Sequence, residues 1–117
     1  MYSPKVMDHF QNPRNVGEMP DADAVGKAGS PTCGDILRLY LKFENGRVSK
    51  ATFKTFGCGA AIAASSVLTE LSVGKTPAEL RQITNQQVAD ALGGLPPIKM
   101  HCSVLAEQAL KSALEGR

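Results

Sequence analysis

The sequence has no tryptophan, only two tyrosines and four phenylalanines, so a folded core must come from aliphatic side chains and alanine. Long apolar runs are also missing: none approaches the ~20 residues that span a bilayer. The opening residues, MYSPKVMDHFQNP, show no basic stretch leading into an apolar one. No membrane span or secretory leader is therefore expected, and the chain is expected to stay in a reducing cytoplasm. Charge of one sign is lacking as well, since 13 basic residues face 11 acidic ones and leave a net +2. That balance gives no reason to expect nucleic acid or a membrane as partner. Cysteine is scarce and odd in number, with three in the chain. Three thiols cannot all pair internally, which argues against a disulfide framework and for thiol or metal chemistry.

What is present suits one domain, residues 1–117. A chain of 117 residues buries roughly two-thirds of the surface its unfolded form exposes. Ser3-Pro4 opens a short helix over residues 3–11, with Val6, Met7 and Phe10 expected on its docking face. Asn12-Pro13 ends it. Residues 12–34 read as a long connection with one short strand near Val25. Residues 36–43 alternate as a half-buried strand, with Leu37, Leu39, Leu41 and Phe43 on one face. Glu44-Asn45-Gly46 signals a hairpin into a second strand over 47–56. There Ala51, Phe53 and Thr55 share a face, and the out-of-phase Val48 calls for a bulge. An alanine-rich helix is expected over 59–73, then two capping boxes at Thr76–Glu79 and Thr84–Gln87. Leu95-Pro96-Pro97 should be extended, and residues 102–115 should form a last, long helix with Ala106, Ala109, Leu110, Ala113 and Leu114 on one stripe. The expected class is α+β: an antiparallel sheet of about three strands with helices on one face.

Cys33, Cys58 and Cys102 are spaced C-x24-C-x43-C, so no CxxC knuckle exists and spacing alone says little. Their settings say more. Cys33 lies in Thr32-Cys33-Gly34-Asp35, Cys58 lies between Gly57 and Gly59, and Cys102 follows His101. Two of the three stand at expected helix starts, where the macrodipole favours a thiolate. Small buried thiols without chemistry are the competing reading. Three thiols with an imidazole and a carboxylate nearby suit zinc or iron. A cysteine enzyme is the weakest alternative: His101 and Cys102 are adjacent and diverge by about 100° on a helix, and no third orienting residue is evident.

Four segments together resemble the IscU/NifU family of iron–sulfur cluster assembly scaffolds. They are Asp8-His9 with Asn12-Pro13-Arg14-Asn15-Val16-Gly17, Cys33-Gly34-Asp35, Phe53-Lys54-Thr55-Phe56-Gly57-Cys58-Gly59, and Leu95-Pro96-Pro97-Ile98-Lys99-Met100-His101-Cys102-Ser103. The resemblance implies a non-enzymatic scaffold on which a transient [2Fe–2S] cluster is built from iron and sulfur, then passed to apo iron–sulfur acceptor proteins. It implies Cys33, Cys58 and Cys102 as ligands, with Asp35 or His101 completing the set, and zinc possible at the same site. Cys102 is the expected sulfur acceptor. Leu95, Pro96, Pro97, Ile98 and Lys99 resemble the element gripped by an Hsp70/J-type chaperone pair. A cysteine desulfurase, a ferredoxin and a frataxin-like protein are the further implied partners, in a bacterial or archaeal cytoplasm. The ferredoxin-like segment and second scaffold domain of longer NifU proteins are not in this sequence. The alternative is a SufU-like zinc protein that transfers sulfur from a desulfurase, disfavoured by His101 and by the lack of an insertion between Cys58 and Cys102.

Overall fold

A computed structural model describes residues 2–30 and 34–115; Cys33 lies outside them. Helix α1 spans Pro4–Gln11, and the Ser3 hydroxyl accepts from the Val6 N–H as its N-cap. The same hydroxyl donates to the Leu92 carbonyl, which ties the start of α1 to a distant turn. The buried face of α1 is Val6 and His9, while Met7 and Phe10 are exposed, contrary to the expected docking face. His9 buries because the Ser66 hydroxyl lies 2.8 Å from its Nδ1 and Glu70 lies 3.4 Å from its Nε2. A polar ring paired in this way enters an interior at little cost.

Three antiparallel strands follow in the order β1 (Ala24–Ser30), β2 (Asp35–Glu44) and β3 (Arg47–Phe56). Asn45 and Gly46 both take positive φ, 54° and 77°, the backbone a tight two-residue hairpin needs. Lys42 faces Lys50 but Phe43 faces Val48, so Ser49 is the bulged residue. The bulge flips the phase and turns Val48 into the core, as its sequence position requires. Leu37, Leu39, Leu41, Ala51 and Phe53 bury on the helix side of the sheet.

Helix α2 (Gly59–Ser72) and the final helix α5 (Met100–Ala113) cover that side. α2 buries ten residues, mostly Ala and Ser, around most of its circumference. Small side chains let it lie close to sheet, α1 and α5 together. The approach of β1 to α5 is closer still: a Cβ on Gly26 would stand 1.9 Å from the Ala109 carbonyl oxygen. The short helices α3 (Pro77–Leu80) and α4 (Asn85–Ala91) both carry complete capping boxes, from Thr76 and Thr84. Pro96 is extended, but Pro97–Lys99 forms one 3-10 turn that runs straight into α5, which therefore starts two residues earlier than the sequence suggests. Proline is tolerated there because first-turn N–H groups have no intrahelical acceptor.

The other face of the sheet carries Lys27, Arg38 and Lys54 in a single cross-strand row. Tyr40 and Thr52 bury on that face, and with Met19 they lie outside the main core. The outer edge of β3 is occupied at two points. Gly17 donates to the Phe53 carbonyl and Phe53 to the Asn15 carbonyl; Val48 exchanges bonds with Gly74 and Lys75.

Candidate metal centre

Of the five expected ligands, the fold brings four to one end of the molecule: Asp35 at the start of β2, Cys58 at the N-cap of α2, and His101 and Cys102 in the first turn of α5. The fifth, Cys33, lies outside the described residues. Asp35 Oδ2 is 3.3 Å from His101 Nε2, which is 3.5 Å from Cys102 Sγ, which is 3.7 Å from Cys58 Sγ. A tetrahedral zinc with ordinary bonds to O, N and S would hold such pairs at about 3.3, 3.6 and 3.8 Å. Asp35, His101 and Cys102 offer ligand atoms that all lie within 4.8 Å of one another, a spacing that fits a metal ion, and Cys58 stands next to this group through Cys102.

The imidazole is oriented for that role. Its Nδ1 lies 3.1 Å from the Ile98 carbonyl; a proton held there leaves Nε2, which faces the thiol and the carboxylate, free to bind a metal ion. Three lone-pair donors facing one point are stabilised by a cation among them. The expected divergence of His101 and Cys102 is thus not what the fold shows, because the long ring folds back across the helix start to reach the neighbouring sulfur.

The carboxylate sits where it does because Gly57 has no side chain. A Cβ there would stand 2.4 Å from Asp35 Oδ1 and 3.0 Å from the Ala61 Cβ. Gly59 makes room in the same way for the Phe10 ring, 3.1 Å from where its Cβ would be. That contact joins α1 to the Cys58 loop. Glycines on both sides of Cys58 were a visible signal, but the groups that need the space come from elsewhere in the chain.

The two described thiols differ. Burial pushes the Cys58 thiol up, but the N–H groups of Ala61 and Ala60, the Cys102 thiol and the Lys99 charge bring it below its ordinary value. Cys102 is 1% exposed, and burial together with the neighbouring Cys58 pushes its thiol up to about 12. The helix-start argument therefore describes Cys58 but not the metal-free Cys102, where desolvation outweighs the dipole. The Lys99 ammonium is held above its ordinary range, first by Cys58 and then by Tyr2. In the segment before α5, Ile98 is 78% exposed, while Leu95, Pro96 and Lys99 are half-buried.

Among the described residues, no helix is long and apolar enough to cross a membrane. The family model for the NifU-like N terminal domain matches residues 1–116. The chain is 57% identical over 114 residues to the iron-sulfur cluster assembly scaffold protein IscU 1 of Archaeoglobus fulgidus, covering 97% of this chain and 74% of that one. It is 51% identical to the scaffold protein IscU of Azotobacter vinelandii, over 97% of this chain and 91% of that one. Two solved structures share the fold at 23% identity. FiSufU, from the SUF system of Fervidobacterium islandicum AW-1, gives a TM-score of 0.77 over 97% of this chain and 96% of its own. The N-terminal NifU-like protein of Brucella abortus gives 0.63 over 96% and 79%. The four-segment resemblance, the α+β architecture and these matches agree, and the chain belongs to the NifU-like N-terminal domain family.

Proposed function

We propose that this protein is a scaffold for assembly of an iron–sulfur cluster, a [2Fe–2S] unit that is its cargo and not a resident cofactor. The observation that carries the reading is the convergence of Asp35, Cys58, His101 and Cys102 at 3.3 to 3.7 Å between neighbouring donors. Cys33, Cys58 and Cys102 supply thiolates to the cluster, with Asp35 or His101 completing the set. A carboxylate among thiolates makes a more labile site than four sulfurs, which suits a cluster that must leave. A cysteine desulfurase delivers sulfur to Cys102, a ferredoxin supplies electrons and a frataxin-like protein assists. The exposed Ile98, beside prolines that limit the entropy lost on binding, supports reading residues 95–99 as the segment a chaperone pair grips. The chain then acts without catalysing a reaction of its own, in a bacterial or archaeal cytoplasm.

Anaerobic reconstitution with iron, cysteine and a desulfurase, followed by visible absorption and Mössbauer spectroscopy, tests this. Cluster bands should form and fade in the parent and persist in Asp35→Ala. No bands in either protein overturns the scaffold reading. A second reading, zinc-dependent sulfur transfer, is favoured by the mixed O, N and S donors of Asp35, His101 and Cys102, all within 4.8 Å of one another. It predicts zinc retained through reconstitution and a desulfurase whose turnover rises strongly when this protein is added.

A further inference from the structure

The site holds a second kind of chemistry that metal binding does not use. Cys58 Sγ and Cys102 Sγ are 3.7 Å apart. A disulfide is about 2.0 Å long, so the gap to close is about 1.7 Å. The two partners are unequal. Cys102 lies in the first turn of α5, buried against the core, and gives a fixed target. Cys58 is half-buried at the extended N-cap of α2. Glycine on either side leaves it no neighbouring side chain to clash with as it turns.

We propose that Cys58 and Cys102 form a reversible intramolecular disulfide in the metal-free chain, an oxidised state in which the centre cannot hold metal. The oxidant is a peroxide. The Cys58 sulfur, more exposed, attacks one oxygen of hydrogen peroxide; the O–O bond breaks, and the other oxygen leaves as water with the thiol proton. The resulting sulfenic acid is attacked by the Cys102 sulfur, the S–O bond breaks and a second water leaves. Two thiols are oxidised and one peroxide is reduced to two waters. The product removes two of the four described donors at once, leaving Asp35 and His101. Metal and disulfide therefore exclude each other: a bound ion shields both sulfurs, and the bond abolishes their ligand form. This regulation rests on reading the cluster of donors as a metal centre, whereas the bond itself does not.

The test uses the full chain, metal-free and anaerobic, treated with one equivalent of hydrogen peroxide. Tryptic mapping without reductant should show residues 55–75 linked to residues 100–111, lost on reduction with dithiothreitol. The link should persist in Cys33→Ser and vanish in Cys58→Ser. Zinc affinity, read with a chromophoric chelator, should fall at least tenfold in the oxidised protein and return on reduction. Prior loading with one equivalent of zinc should suppress the link. Free thiols after treatment, Cys58 oxidised only to sulfinic acid, or links confined to Cys33 or to other chains would overturn the disulfide. Oxidised protein that keeps its zinc affinity would overturn the mutual exclusion. Reduced protein that binds no zinc would sink the metal-centre reading, and the linked peptide would still decide the disulfide.

Discussion

Gly57→Ala asks whether the empty space beside Asp35 is what lets its carboxylate reach the site. The added Cβ would stand 2.4 Å from Oδ1, and ordinary contact begins at 3.4 Å, so the carboxylate must retreat by about 1 Å. Metal–ligand distances tolerate only about 0.2 Å, so Asp35 is expected to drop out of the donor set. Disturbing the group that positions a ligand typically weakens metal binding about 10- to 100-fold, or about 1.4–2.7 kcal/mol. The assay is zinc competition against a chromophoric chelator for the parent, Gly57→Ala, Asp35→Ala and the double variant. If Gly57 acts through Asp35, adding Gly57→Ala to Asp35→Ala changes nothing, and the coupling equals the whole single-variant loss. Strict additivity would refute this argument, because the loss would then come from the 3.0 Å contact with the Ala61 Cβ and the start of α2. Unchanged zinc affinity in Gly57→Ala would refute it as well.

Four further outcomes follow from the same structure. His9 is held below its ordinary range by burial first and the Arg14 charge second, so the unfolded chain binds the extra proton more readily. Its contribution to stability is complete above pH ~6.5 and is lost as pH falls below that value; the urea midpoint should drop from pH 7.5 to 5.5, and less so in His9→Gln. Ser66→Ala removes the hydroxyl that meets His9 Nδ1 at 2.8 Å and the Arg14 N–H at 2.9 Å, and should cost about 1–3 kcal/mol by urea denaturation. Gly26→Ala sets a Cβ against the Ala109 carbonyl and the Ala113 nitrogen; since neither is a flexible side chain, a loss of about 3 kcal/mol or more is expected by thermal unfolding. Arg38→Glu replaces a like-charge row, Lys27–Arg38–Lys54, by alternating signs, and should stabilise by about 0.5–1 kcal/mol at low salt, with the gain shrinking as salt is added.

Local rules were readable where the answer is local. Ser3, Thr76 and Thr84 cap the helices their sequences announce, and the phase slip at Val48 located the bulge. The buried face of α1 and the start of α5 were less legible, because tertiary partners decided them. His9 is polar by composition and buried by virtue of Ser66 and Glu70, which are more than 50 residues away. The strand near Val25 was expected only as a short one within a long connection, because glycine and alanine carry little strand pattern; it runs Ala24–Ser30, and those small residues are what allow β1 to lie against α5. The site was visible as a set of residue types, but not as a geometry. Nothing in Gly57 itself says that Asp35 will need its space, and nothing in the adjacency of His101 and Cys102 says that the ring will fold back.

The two occupied stretches on the outer edge of β3 have a consequence for how this molecule meets others. A bare edge strand is a template onto which any extended chain can add, a second copy included. Here residues 15–17 and 74–75 fill that edge at Phe53 and Val48, and at the opposite edge the Lys27 N–H is bonded to the Ser112 hydroxyl of α5. Growth of the sheet from either side would first have to break bonds the chain already makes with itself. Recognition is thereby moved off the backbone and onto side chains and loops, where one visitor can be exchanged for the next without unpicking the fold.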